Sequence, residues 1–329
     1  MATSLTLFWP LAIAFASALL ILAVLLKTSV GRRLALDEPN QRSLHTVAVP
    51  RVGGIAIVLA ALLAWGFAAG ASLVLGLLIA ALALVSAIDD RKGLPVSLRL
   101  AVHGVASLLC AASLALPDVG LTAALMLYFV WMTNCYNFMD GADGLAGGMA
   151  VFGFAAYGIV GLLAQESSVT TMSLTLAAAA AAFLLFNFAP ARVFMGDAGS
   201  ISLGFAAAAL GAIGALESLW PPWFPLLVFS PFCVDASVTL ARRMWRGERF
   251  WQAHREHYYQ RLIRMGWSHR RTALFAYALM FGACASAVLG LNLGARAQMG
   301  LLAAWCVVYA LLFLAIDARW RASTESAEG

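Results

Sequence analysis

LTAALMLYFVWMTNCYNFMDGADGLAGGMAVFGFAAYGIVGLL, residues 121–163, decides how this chain reads. Two apolar runs, 121–136 and 146–163, flank a short polar segment. Each approaches the roughly 20 residues that a helix needs to cross a bilayer. The same alternation repeats through all 329 residues and gives eleven apolar stretches: about 7–26, 52–69, 72–88, 100–116, 121–136, 146–163, 171–186, 201–216, 224–240, 272–289 and 299–316. With 63% hydrophobic and 11% charged residues and a mean hydropathy of +0.88, a soluble domain could not bury so much apolar surface. The expected fold is all-α, a polytopic integral membrane protein of about eleven transmembrane helices. It forms one domain over residues 1–321, followed by an unstructured polar tail, 322–329. Small residues such as Ala177 to Ala182 and Ala206 to Ala209 let helices approach closely in lipid.

Basic residues set the expected orientation. Twenty of the 21 Lys and Arg fall in alternate connections, densest in 27–51 and 241–271, and the opposite connections hold Arg296 alone. The basic side is read as cytoplasmic, with the N-terminus periplasmic and the C-terminus cytoplasmic. The net charge of +5 and pI near 9.1 are therefore a topology signal and give no support for a nucleic-acid partner. No basic segment precedes the first apolar run, which reads as an uncleaved helix. The five cysteines sit in or beside apolar runs without C-x-x-C spacing, so packing is their expected role. No internal repeat of the kind many transporters carry is evident.

The unusual chemistry is all on the basic side. Asp89-Asp90 closes the third stretch; adjacent carboxylates repel, and a cation would neutralise them. A solvated helix end with Arg91 and Lys92 as local partners is an equal reading. Asn137, Asp140 and Asp143 follow i, i+3, i+6, on one side of a helical path. With no basic neighbour, they call for a divalent cation or a substrate donor. Phe194-Met195-Gly196-Asp197 leads into the eighth stretch, and backbone N–H groups at that helix start could face a phosphate. His254 and His257 would share a helix face among arginines suited to phosphate oxygens, or to anionic membrane lipid. Asp235, inside the ninth stretch, reads equally as an ion-pair partner of Arg242 or as a catalytic acid.

These motifs, in this order, resemble the polyprenyl-phosphate N-acetylhexosamine-1-phosphate transferases, glycosyltransferase family 4. The likeness runs from Asp37-Glu38-Pro39-Asn40-Gln41-Arg42-Ser43-Leu44-His45 to Gln260-Arg261-Leu262, and its signatures are Asp89-Asp90, Asn137 to Gly148 and Phe194 to Asp197. It implies transfer of a sugar 1-phosphate from a UDP-N-acetylhexosamine to undecaprenyl phosphate, releasing UMP, at the cytoplasmic face of a bacterial inner membrane. It also implies that Asn137 and Asp197 hold Mg²⁺, or Mn²⁺ in its place, while Asp89 and Asp90 are catalytic. The remaining substrate contacts it implies are Arg99 at phosphate, Phe194 stacked on uracil, Asp143 in the uridine pocket, and Asp140, His254 and His257. His45 and Arg51, with Pro50 to Gly54, resemble the branch that initiates O-antigen or other surface polysaccharides. A homodimer is compatible with this reading.

Two rivals remain at this stage. A transporter for a nucleotide-sugar or divalent cation predicts acids near the bilayer midplane, where Asp235 alone stands out. A lipid-binding structural protein leaves the cluster from Asn137 to Asp143 without a role.

Overall fold

A computed structural model describes residues 2–28, 30–38, 47–68, 70–116, 118–249, 252 and 254–328. In chain order the elements are α1 (Ala2–Lys27), α2 (Val30–Leu34), β1 (Leu36–Asp37), β2 (Val49–Pro50), α3 (Gly53–Gly66), α4 (Leu73–Lys92), α5 (Val96–Ser113), α6 (Val119–Phe138), α7 (Leu145–Leu163), α8 (Ser167–Asn187), α9 (Asp197–Leu216), α10 (Trp223–Val228), α11 (Ser230–Trp245), α12 (Tyr258–Arg264), α13 (His269–Gly290) and α14 (Ala295–Glu328). The all-α reading holds. The two strands form one antiparallel ladder, Leu36 opposite Pro50 and Asp37 opposite Val49.

Among the described residues nine helices are long and apolar enough to span a membrane: α1, α4 to α9, α13 and α14. The chain is a multi-pass membrane protein. The other two apolar stretches are helical but differ in detail. The 52–69 stretch becomes α3, whose 14 residues rise only about 21 Å against a hydrocarbon core of roughly 30 Å. The 224–240 stretch breaks at Phe229 into α10 and α11, because Pro231 in the first turn of α11 lacks the N–H that would continue the helix. At the other end of the chain, α14 continues to Glu328, through the segment expected to be an unstructured tail. Ala322, Glu325, Ala327 and Glu328 are good helix formers and simply prolong it.

The centre of the bundle is α9, with α7 and α8 around it; 83% of the α9 span is buried, against 17% for α14 at the periphery. Its composition explains the position, since Ala206 to Ala209 and Gly204 present almost no side chain. A methyl group at Gly204 would lie 2.9 Å from the Thr133 Cα of α6. That closeness lets the last turn of α6 meet the first turn of α9, and there the polar chemistry begins.

Candidate active site

Five elements bring their ends to one place. The α4 C-terminus supplies Asp89 and Asp90, α5 supplies Arg99, α6 supplies Asn137, and α9 begins with Asp197. Arg99 lies 3.1 Å from the Asp89 carboxylate and 3.6 Å from that of Asp197. The Asn137 Oδ1 accepts a 2.7 Å hydrogen bond from the Ser200 hydroxyl, one turn into α9. The short ladder completes the group: Arg51 is 2.6 Å from Asp37 and 3.9 Å from Asp90. Residues 107 positions apart thus meet at hydrogen-bonding distance.

Asp89 and Asp90 do not do the same work. A carboxylate in the last turn of a helix faces the unfavourable end of its dipole. Asp89 is held there by the Leu94 N–H at 2.5 Å and by Arg99. Asp90 instead reaches across to α9 and accepts from the Asp197 and Ala198 N–H groups, each at 3.3 Å. It caps the α9 N-terminus from outside, where dipole and orphan donors both favour an anion. The N–H groups expected to face a phosphate are therefore occupied by Asp90. Gly196, at φ +71°, makes the approach feasible, since a side chain there would be strained and would strike the Asp90 carboxylate. Arg91 and Lys92 are not the partners of this pair; Arg99 and Arg51 are.

The run from Asn137 to Asp143 departs from the expected helical side. α6 stops at Phe138, so Asp140 and Asp143 lie in the following loop. Burial first, then the neighbouring Asp197 and Asp90, push the Asp140 carboxyl well above the usual range. Asp143 bonds elsewhere: it accepts from the Ala191 N–H at 3.0 Å and lies 3.1 Å from His269 at the start of α13. Phe194 is half-buried, and its main chain is tied to the β2 end, donating to Pro50 O at 2.8 Å and accepting from Gly53 at 2.9 Å. His45 lies outside the described residues.

His254 and His257 are adjacent, with ring centroids 4.9 Å apart, but a turn brings them together, because α12 starts only at Tyr258. Burial, then His257 and Arg243, lower the His254 pKa to about 4, so this ring is neutral at pH 7. Asp235 does not pair with Arg242. It accepts from the Tyr258 and Tyr259 N–H groups at 2.9 and 3.1 Å and lies 3.3 Å from His257 Nδ1. Arg242 pairs with Asp317 of α14 at 2.7 Å, and Arg261 joins the same carboxylate at 2.8 Å. Arg243 and Arg246 are taken up by Glu248 and Glu256. Four of the loop's arginines are thus internal braces, not phosphate donors.

Asp89, Arg99, Asn137, Asp197, His254 and His257 line one cavity of about 830 Å³. Its remaining walls are largely apolar, built from Leu100, Val102, Leu127, Val130 and Trp131 among others. Asp197 is the most open of the three clustered carboxylates, its side chain 29% exposed against 8% for Asp89 and 4% for Asp90. Among the described residues no three acidic, histidine or cysteine side chains close into a metal cage. Two hard oxygen donors, Asp197 and Asn137, with room for more ligands beside them, suit a small divalent cation that takes its remaining oxygens from phosphate and water.

Comparison with known proteins shows the family. The pattern of glycosyl transferase family 4 matches residues 72–215, which contain the Asp89–Asp90, Asn137 and Asp197 elements. A decaprenyl-phosphate N-acetylglucosaminephosphotransferase of Mycobacterium leprae is 30% identical over 299 residues, 75% of this chain and 74% of that one. The chain belongs to glycosyl transferase family 4. A probable undecaprenyl-phosphate N-acetylglucosaminyl 1-phosphate transferase of Bacillus subtilis is 29% identical over 79% of this chain and 80% of its own. A phospho-N-acetylmuramoyl-pentapeptide-transferase of Moorella thermoacetica is 37% identical, over 48% of each chain.

Sequence reasoning missed several residues that contact the candidate side chains. Asp37 and Ser200 enter through contacts with Arg51 and Asn137, and His269 through Asp143. Asp317 did carry a signal, an acid at the end of an apolar span, where charge is costly without a partner.

Proposed function

We propose that this chain transfers an N-acetylhexosamine 1-phosphate unit from a UDP-sugar to undecaprenyl phosphate at the cytoplasmic face of a bacterial inner membrane. The products are undecaprenyl-diphospho-sugar and UMP, and the product lipid would start an O-antigen or another cell-envelope polysaccharide. One observation carries the reading: acids, an amide and Arg99 line an 830 Å³ cavity whose other walls are largely apolar. Joining a water-soluble pyrophosphate donor to a membrane-borne phosphate needs a chamber of that mixed character. The names of the Bacillus and Mycobacterium relatives, both N-acetylglucosaminyl phosphate transferases acting with polyprenyl phosphates, support UDP-N-acetylglucosamine as the donor.

In the proposed step an oxygen of the lipid phosphate attacks the β-phosphorus of the donor. The bond from that phosphorus to the bridging oxygen breaks, and UMP leaves with the oxygen and its electron pair. No bond to the anomeric carbon breaks, so the sugar keeps its configuration. One pyrophosphate replaces another, so the reaction is readily reversible. The second pKa of a phosphate ester is about 6, so the nucleophile is already ionised near neutral pH and needs little help from a base.

The residues then divide the work. Arg99 donates to phosphate oxygens as two anions are brought together. Asp90 fixes the start of α9 and so aims Asp197; Asp89 holds Arg99. His254 and His257 offer hydrogen-bonding groups on the cavity lining. Asn137 and Asp197 would hold Mg²⁺, with Mn²⁺ as a substitute; bound there, it supplies the charge neutralisation that phosphoryl transfer requires. The test is direct. Purified protein, undecaprenyl phosphate, Mg²⁺ and a panel of UDP-N-acetylhexosamines should give UMP and a lipid product heavier by one sugar phosphate. A complete absence of UMP across the panel would refute the reading.

A further inference from the structure

Three helices carry a second polar residue one turn further from their loop ends. Ser86 precedes Asp89, His103 follows Arg99, and Asn134 precedes Asn137, and all six line the same cavity. His103 is the uncommon one. It is 7% exposed, and its Nδ1 is buried with no hydrogen-bond partner. The Nε of Arg99, four residues earlier on the same face of α5, is also buried and unpartnered. Leaving such groups unmet costs about 1–3 kcal/mol each, so two of them side by side in one cavity describe an acceptor that belongs between them.

We propose that Arg99 and His103 together hold the phosphate head of the prenyl acceptor. This assignment rests on the reaction proposed above and names which phosphate sits where. Four residues of helix set His103 about 6 Å farther along the cavity than Arg99, away from the loops that carry Asp140 and His254. The neighbouring wall there is Leu100, Val102, Leu127 and Val130, which suits an isoprenoid chain and repels a nucleotide. Arg99 contributes charge and His103 a hydrogen bond, so the phosphate enters from the apolar end and stops where Asp89 and Asp197 begin. Trp131 on the same wall donates to Ser237 at 3.1 Å, which leaves its ring face to the apolar space.

The experiment uses the whole protein in detergent micelles with three additives: a short prenyl phosphate, the matching prenyl alcohol and inorganic phosphate. Wild-type protein should gain thermal stability from the prenyl phosphate, and markedly less from the alcohol or from inorganic phosphate. His103→Leu should lose most of that difference and show a KM for prenyl phosphate raised at least about tenfold, the scale of a hydrogen bond to a charged group. His103→Gln, which keeps a donor, should recover most of both, and the KM for the UDP-sugar should stay within about twofold. Equal stabilisation by alcohol and phosphate overturns the assignment, as does a His103→Leu protein whose response to prenyl phosphate matches wild type. A His103→Leu protein that does not fold leaves the test with His103→Gln. There, an unrestored prenyl-phosphate response in a folded protein overturns the assignment, and a restored one supports it. Phosphate-specific stabilisation that His103→Leu abolishes, in a preparation that forms no UMP, upholds the binding assignment and counts against the reaction alone.

Discussion

Two charged regions of the molecule, one at the ends of α4, α6 and α9 and one around α12, are built on opposite principles. At the ends of α4, α6 and α9 acids outnumber their partners: Asp89, Asp90, Asp140 and Asp197 share Arg99 and Arg51. Around α12 each of four arginines has a carboxylate partner, Arg242 and Arg261 on Asp317, and Arg243 and Arg246 on Glu248 and Glu256. Tyr258 stacks on Phe313 at 3.7 Å, so α14 is clamped to this loop by rings as well as charge. On the function proposed above, the surplus side takes a ligand, whereas paired charge holds a shape. Composition alone does not separate them, since both are arginine-and-acid clusters on the same side of the membrane.

The largest expected effect breaks the surplus side. Asp197→Asn should lower kcat by at least about a hundredfold across a Mg²⁺ titration, with an unchanged melting temperature. Near-normal turnover would remove Asp197 from the site. On the matched side, Asp317→Ala should do the reverse. It leaves the Arg261 guanidinium, 10% exposed, without its carboxylate and should cost about 3 kcal/mol of stability, read from denaturation in micelles. Activity of the protein that stays folded should be affected far less. A smaller effect sharpens the donor end: Phe194→Ala should raise the KM for the UDP-sugar about tenfold if its ring stacks on uracil, since such stacking is worth about 1–3 kcal/mol. An unchanged KM would count against stacking.

The smallest effect concerns pH. The folded protein holds His254 near pKa 4 and the unfolded chain near 6.5, so the unfolded state binds the extra proton first. Stability tied to this group is complete above about pH 6.5 and is lost as pH falls toward about 4. His254→Gln should therefore show a flatter melting temperature over that interval, and an identical slope would contradict the burial argument.

Much of this is legible in the sequence. The membrane fold follows from hydropathy, and Asp89, Asp90, Asn137 and Asp197 stand out because each closes or opens an apolar run, whereas Arg99 is implied by the family resemblance alone. Their convergence depends on Gly204 and the other small residues of α9, which the Ala- and Gly-rich pattern announced only in general terms. What the chain hid were partners far apart in sequence. Asp317 and Arg242 are 75 residues apart, and Asp90 meets Ala198 across 108. Asp235 misled because an arginine seven residues away is a natural partner on paper, while the bare N–H groups of α12 compete for the same carboxylate. The break at Phe229 was readable in principle from Pro225 and Pro231.

The central claim is that the surplus acids form one divalent-cation site. Its most direct measurement is Mn²⁺ binding, followed by electron paramagnetic resonance, to purified wild-type, Asp197→Asn and Asp317→Ala proteins in the presence of UMP. The expected result is one tightly held Mn²⁺ per chain in wild type and in the folded fraction of Asp317→Ala, with at least about tenfold weaker binding in Asp197→Asn. Equal affinity in wild type and Asp197→Asn would contradict the account.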